Sequence, residues 1–452
     1  MHILKGYTKQ EISWMMYDWA NSAHSVIIVT LLPIFFDTVA GYTADSVSSM
    51  STWGYATSIA MLIVALAAPF LGVFGDIRGM RKKLFSFFML LGVAACAGMA
   101  FTPVMDFTSG PVAAGKVASL ILVLYIVSVI GFDASAIYYD AFLTDVTIED
   151  RMDKVSTMGY GLGYIGGSTI PLLIFLIMNL VGVPMLTCLA FVFGLTAVWW
   201  LAFSLPLLKN CEQTSGKPYE KGDVARSIKG VGTTIKEIIA NKPMLIYILS
   251  YFFYIDGVHT VISMATTYGT NLGLDSTGMM LALLLVQILG LPFCLLYIKC
   301  SEKFGARTMV GFGICVYMFI CIFAFFMNSL WQFWVLAVLC ATSQGGIQAL
   351  SRSMYGKLIP DKNRSGEFFG FFDIFGKFSS IMGPALVGVV SSVVANGMLG
   401  AQGLTAQTAT AEQINAINAQ SSHYGILSII IIIIVGAVLY FGFLPKAEHA
   451  KQ

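Results

Sequence analysis

Residues 423–444 read HYGILSIIIIIIVGAVLYFGFL, without one Asp, Glu, Lys or Arg. About 20 consecutive apolar residues suffice to cross the hydrocarbon of a bilayer as a helix. No water reaches a peptide group there, so such a segment must satisfy its own backbone hydrogen bonds, and a single run does so only as a helix. Runs of this kind recur along the chain. Spans are read at 12–36, 52–74, 84–104, 117–140, 156–180, 184–208, 244–269, 277–298, 308–328, 330–350, 368–395 and 423–444. The expected fold class is an all-α polytopic membrane protein with twelve transmembrane helices. Composition agrees: 11% of the residues are charged, against about 25% in soluble domains. The run after residues 1–13 is too long for a cleaved leader and lacks a small-residue cleavage site, so no signal peptide is expected.

Lys and Arg set the topology, because loops that stay in the cytoplasm retain positive charge. Lys5 and Lys9 precede the first span; Arg78, Arg81, Lys82 and Lys83 follow the second; Arg151 and Lys154 follow the fourth. Seven more fall in 209–242. Lys299, Lys303 and Arg307 follow the eighth span, and Arg352, Lys357, Lys362 and Arg364 the tenth; Lys446 and Lys451 end the chain. That puts 24 of 26 basic residues on one side, the exceptions being Lys116 and Lys377. Both termini are expected in the cytoplasm.

The chain repeats itself. GVFGDIRGMRKK (72–83) follows the second span and IKCSEKFGARTM (298–309) the eighth. Asp76, Gly79 and Arg81 align with Glu302, Gly305 and Arg307 at a constant offset of 226. The first span carries Asp18, Asn21, Ser22 and Ser25 at i, i+3, i+4, i+7, and the seventh carries Asp256, His259, Thr260 and Ser263 at the same spacing. On a 3.6-residue helix each set is one polar stripe. The expected organisation is an N-terminal six-helix bundle (1–208), a basic linker (209–242) and a C-terminal six-helix bundle (243–452), pseudo-symmetric. Repeats of this kind build transporters with a site between the halves near the bilayer midplane.

The loop G72-x-F-G-D76-x-x-G79-x-R81-K82 resembles the signature between the second and third helices of the major facilitator superfamily. YDWANSAHS (17–25), YYDAFLTDV (138–146), DGVHTVISM (256–264), GGIQALSRSMYGKLIP (345–360) and EFFGFFDIFGKFSSIMGP (367–384) are similar to the vacuole-effluxer-like family, whose eukaryotic members are autophagy-related vacuolar amino-acid effluxers. The short linker resembles that of a bacterial member, which implies the inner membrane of a bacterium, and Glu302 departs from the Asp of the signature. The resemblance implies a major facilitator fold whose first, fourth, seventh and tenth spans line a central cavity, and alternating access. It also implies that the loop with Asp76, Gly79 and Arg81 acts as a gate; Asp76 can meet Arg81 or a neighbouring helix N-terminus.

An ionised side chain at mid-membrane costs roughly 2.5–3.5 kcal/mol on insertion scales, so such residues usually face a cavity or a partner. Asp18 and Asp256 are the first candidates for binding protons or substrate amines; helix-packing hydrogen bonds are the competing reading. Asn21, Ser22, His259 and Thr260 share their stripes, whereas His24 lies about 120° from that of Asp18. Asp133 is the cavity candidate of the fourth span. Gln344, Gln348 and Arg352 line one face of the tenth, where Gln suits amide recognition and Arg can hold a carboxylate. Asp373 and Lys377, at i, i+4, form an intramembrane pair that neutralises itself or takes part in transport. Gly159, Gly163 and Gly167 are four apart and let helices approach closely; the GLGYIG string overlapping them has no preceding strand and is not read as a nucleotide site.

The expected function is secondary active transport of small polar solutes, amino-acid efflux foremost, coupled to protons or to the solute's own gradient. The alternatives are transport of an amphiphile such as a lysolipid or cell-wall fragment, and a non-transporting receptor or scaffold. No enzyme activity, metal or cofactor is expected. The expected partners are a small-molecule substrate, the lipid bilayer and protons, with no nucleic acid, and the protein is expected to be a monomer.

Overall fold

The computed structural model describes residues 4–43, 49–218, 223–404 and 408–444. Lys446 and Lys451, which enter the charge argument, lie outside these residues. Fourteen α-helices are present among them: α1 Lys9–Ala40, α2 Ser49–Gly75, α3 Arg81–Met99, α4 Pro111–Val146, α5 Met152–Gly163, α6 Ile170–Leu180, α7 Met185–Asn210, α8 Asp223–Ala240, α9 Lys242–Asn271, α10 Ser276–Phe304, α11 Ala306–Phe325, α12 Leu330–Leu358, α13 Ser365–Ala401 and α14 Ala411–Ala437. A π-helical turn, Tyr164–Thr169, joins α5 to α6, and another, Val438–Phe443, extends α14. Twelve helical segments among the described residues are long and apolar enough to cross a membrane. Residues 396–422 lie between the apolar stretches of the last two spans. Their first part ends α13 and their second, capped by Thr410 and Gln413, forms the first turns of α14. The polar side chains at 411–422 cannot stay in hydrocarbon, so the helix runs beyond the apolar stretch.

The chain forms two compact units. One is Met1–Thr234 with Gly356–Ile374, the other Ile235–Tyr355 with Phe375–Gln452. In the first, α3 and α4 approach so closely that Gly92 and Gly131 meet backbone to backbone. Side chains there would hold the helices apart; the absence of Cβ atoms brings peptide dipoles and Cα–H groups into contact. A methyl group on Gly131 would stand 2.5 Å from Gly92 N, 2.6 Å from its Cα and 2.7 Å from Phe88 O, all atoms that cannot rotate away. Gly131→Ala is expected to lower stability by about 1–3 kcal/mol through overpacking. Gly115→Ala on the same helix, with nothing within 4 Å, is expected to be neutral or stabilising. Thermal unfolding in detergent compares the two.

The repeat read at an offset of 226 is structural. Gly79 turns the chain into α3 with φ 80°, and Gly305 turns it into α11 with φ 84°. A side chain is strained in that region, so both turns require glycine. Large apolar side chains remain exposed on the helices, among them Leu66, Phe87 and Val123 in the first unit and Leu281, Phe319 and Ile431 in the second. In a bilayer these faces meet acyl chains.

Candidate functional site

In the second unit, the polar stripe of α9 meets α13. Asp256 is completely buried. Its Oδ1 accepts a hydrogen bond from Gly383 N at 2.9 Å, and no hydrogen-bond partner among the described residues reaches its buried Oδ2. Gly383 makes the approach possible. A methyl group there would overlap the Thr260 hydroxyl and lie 2.5 Å from Asp256 Oδ1. Pro384, the next residue, lies inside α13 and has no N–H to give, which leaves the ladder incomplete one turn back. Thr260 donates to the Asp256 carbonyl at 2.7 Å. One turn along α9, His259 Nδ1 stands 3.2 Å from Ser379 Oγ and 2.9 Å from Ser380 Oγ. Gln348 of α12 and the charge of Lys377 lie near this histidine. Gln348 also donates to the Gln344 carbonyl. Five residues singled out from sequence, Asp256, His259, Thr260, Gln348 and Lys377, thus come to one place. Arg352 is buried on α12, beside Ser351, which accepts from Tyr247 and bonds Tyr254.

The first unit repeats the arrangement with different residues. Asp18 Oδ2 accepts from Tyr139 at 2.8 Å, and Trp14 donates to the Tyr139 carbonyl while stacking on its ring. The stripe of α1 faces the glycines of span five. A methyl on Gly159 would stand 2.5 Å from Asp18 Oδ2, one on Gly163 2.6 Å from Ser22 Oγ, and one on Gly167 2.6 Å from the Trp19 carbonyl. Asn21 is buried beside Tyr17. The Tyr17 hydroxyl bonds Ser135 of α4, just as Tyr254 of α9 bonds Ser351 of α12. His24 faces away from Asp18, against Ser128 and Phe132. Asp133 is buried on α4. Asp373 belongs to the first unit and Lys377, one turn on, to the second. Sequence reasoning missed the partners Tyr139, Ser135, Ser351, Ser379, Ser380 and Gly383. The clue available was GFDAS and MGP, each putting a small residue beside a candidate polar face.

At the end of the first unit formed by residues 76–81, Arg81 is fully buried. Its Nη2 donates to Asp76 at 2.9 Å and to Ser365 Oγ at 2.8 Å; its Nη1 reaches the Ala141 carbonyl, Asp145 and Ser215. Asp76 accepts from Gly366 N at 2.7 Å and Glu367 N at 2.8 Å, the first-turn N–H groups of α13. Such groups have no partner within their helix and suit an anion. Burial pushes the Asp76 carboxyl up to about 7, while Arg81 and the two N–H groups pull it back. Gly72 lies against Gly366, which lets α2 and α13 come this near.

Among the described residues no cluster of His, Cys, Asp and Glu has the grouping of a metal site. The model of the family described as vacuole effluxer Atg22 like matches residues 41–399. The uncharacterized MFS-type transporter YxiO of Bacillus subtilis (strain 168) is 40% identical over 98% of this chain and 96% of its own. Autophagy-related protein 22-1 of Penicillium rubens is 25% identical over 55% of this chain, and the match spans 46% of that protein. Among solved structures, an MFS proton:xylose symporter, XylE, superposes with TM-score 0.69 at 14% identity, covering 98% of both chains. A bacterial homologue of the iron transporter ferroportin gives TM-score 0.60 at 15% identity, over 95% of this chain and 98% of that one.

Proposed function

The chain belongs to the vacuole effluxer Atg22-like family and is an MFS-type transporter, and from that premise we propose that it exports small polar solutes, amino acids foremost, by proton-coupled secondary transport with Asp256 as the proton-binding carboxyl. One observation carries the coupling: a fully buried carboxylate with one oxygen on Gly383 N–H and the other without a hydrogen-bond partner among the described residues. Burying an unpaired anion is costly. The close seating of Gly383 fills the space between Thr260 and Asp256 Oδ1. A proton fits without any movement of the helices. His259, only partly buried and held by Ser379 and Ser380, offers a relay from Asp256 to water. A relay of this kind is how intramembrane acids and histidines serve pumps and transporters. Amino acids are favoured by kinship with the vacuole effluxers.

The test is flux in reconstituted vesicles. A thermal-shift screen of the purified protein against amino acids, dipeptides and lysolipids first identifies the solute, since a ligand of the folded state raises the apparent stability. Wild-type protein is expected to drive that solute uphill under an imposed pH gradient. Asp256→Asn is expected to abolish uphill movement while counterflow continues. An Asp256→Asn protein that still concentrates solute would remove the carboxyl from the mechanism. Counterflow of lysolipid but of no amino acid would instead establish an amphiphile carrier, and no flux of either would leave a receptor or scaffold.

A further inference from the structure

Cys211–Pro218, the start of the linker, reads CEQTSGKP, a composition that suggests a passive connector. Its hydrogen bonds describe something else. The Gln213 side chain spans the turn 75–81: its Oε1 accepts from Gly79 N at 2.9 Å and Arg81 N at 3.2 Å, and its Nε2 donates to the Gly75 carbonyl at 2.9 Å. Lys217 exchanges two backbone bonds with the same turn, accepting from Arg78 N and donating to the Asp76 carbonyl, both at 2.9 Å. Thr214 and Ser215 together aim two backbone N–H groups and two hydroxyls at one oxygen of Asp145. That oxygen's partner atom on the same carboxylate meets Arg81. Gly216, at φ 117°, donates to Asn363 at 3.1 Å. At the root of the segment Cys211 is fully buried, its thiol toward the Gln10 carbonyl.

We infer that Cys211–Lys217 is a strap built into the gate, with Gln213 and Ser215 as positioning residues. The side chain of Gln213 fixes the turn that presents Asp76 to α13, and Ser215 fixes the carboxylate that shares Arg81 with Asp76. When Asp76 leaves the N-terminus of α13, the turn moves and the strap must move with it. The chemistry of the known loop motif ends at Arg81; the strap adds a second layer of donors supplied by the linker. The inference stands apart from the identity of the solute and from proton coupling.

Cys211 reports on the strap. Its thiol is hidden, and burial pushes it up to about 12, so a maleimide reacts only when the segment lifts. Alkylation of the purified full-length protein by N-ethylmaleimide is followed at each cysteine by peptide mass spectrometry. Gln213→Ala removes three hydrogen bonds and is expected to speed labelling of Cys211 about tenfold or more. Ser215→Ala is expected to have a smaller effect in the same direction. Cys96 and Cys188, buried in the same unit, are expected to stay slow, and Glu212→Ala, at an exposed position, to behave as wild type. In solute exchange, with rates normalised to folded protein, Gln213→Ala is expected to change kcat with little change in KM, which puts its effect on the moving step and not on solute binding. Unchanged Cys211 labelling in both variants overturns the inference. So does faster labelling of Cys96 and Cys188 alongside Cys211, which would make the segment part of the folding core instead of a moving strap.

Discussion

Arg81→Met is expected to cost about 3–5 kcal/mol of stability, the usual penalty for breaking a buried ion pair from one side. Methionine fills much of the arginine's volume, so the loss is electrostatic. Arg81 is the cation between Asp76 and Asp145, and its removal leaves two carboxylates in a place that excludes water. Asp76 keeps Gly366 N and Glu367 N, and Asp145 keeps the donors of Thr214 and Ser215. Those dipoles offset part of the cost and none of the mutual repulsion. Arg81→Lys retains the charge but loses the planar fork that reaches Asp76 and Ser365 with one nitrogen and Ala141, Asp145 and Ser215 with the other; it is expected to recover less than half of the loss. Yield of folded protein and the thermal midpoint in detergent measure both variants. An Arg81→Met protein with the wild-type midpoint would show that these ion pairs contribute nothing to stability.

Gly383→Ala is the second large effect. The added methyl group would overlap Thr260 and crowd Asp256, so α9 and α13 must separate or the side chains must leave their rotamers. Overpacking of this kind costs about 1–3 kcal/mol and occasionally more. It also pulls the Gly383 N–H away from the carboxylate, so pH-driven flux is expected to fall further than stability alone requires. Gly388→Ala, on the same helix with open space around it, is the matched control. Thr260→Ala removes the hydroxyl nearest the new methyl, and in combination with Gly383→Ala it is expected to restore part of the stability. A positive coupling between contacting sites is the signature of a shared steric conflict. Equal midpoints for Gly383→Ala and Gly388→Ala would show that the two helices can part at no cost.

The spans were legible because hydrocarbon imposes a length and a composition that no other environment asks for. Asp76 and Arg81 were legible because the turn repeats at 302–307. The stripes on α1 and α9 were legible as faces, yet the periodicity of one helix does not say which neighbour a face meets. Asp18 turns to Tyr139 and to the glycines of span five, and Asp256 to Gly383. Those partners lie more than a hundred positions away, and only the packed bundle brings them near. The matching Tyr17–Ser135 and Tyr254–Ser351 bonds were hidden because the tyrosines are 237 residues apart and the serines 216, so no constant offset aligns both. The strap was hidden by its composition: Gln, Thr, Ser and Gly read as a solvated loop until each donor is given an acceptor.

The π turn at Tyr164–Thr169 sets the phase of the contact with α1. Residues four apart on an α-helix creep about 40° around the axis at each step, so a glycine track at that interval would soon rotate out of register with a straight neighbour. The wider turn, closed by i→i+5 bonds, advances each residue by a smaller angle and winds the drift back. Gly159 and Gly163 before it, and Gly166 and Gly167 within it, all address α1. A single inserted residue thereby works like the leap day of a calendar, and two helices of unequal period stay synchronised for longer than either could manage with a uniform pitch.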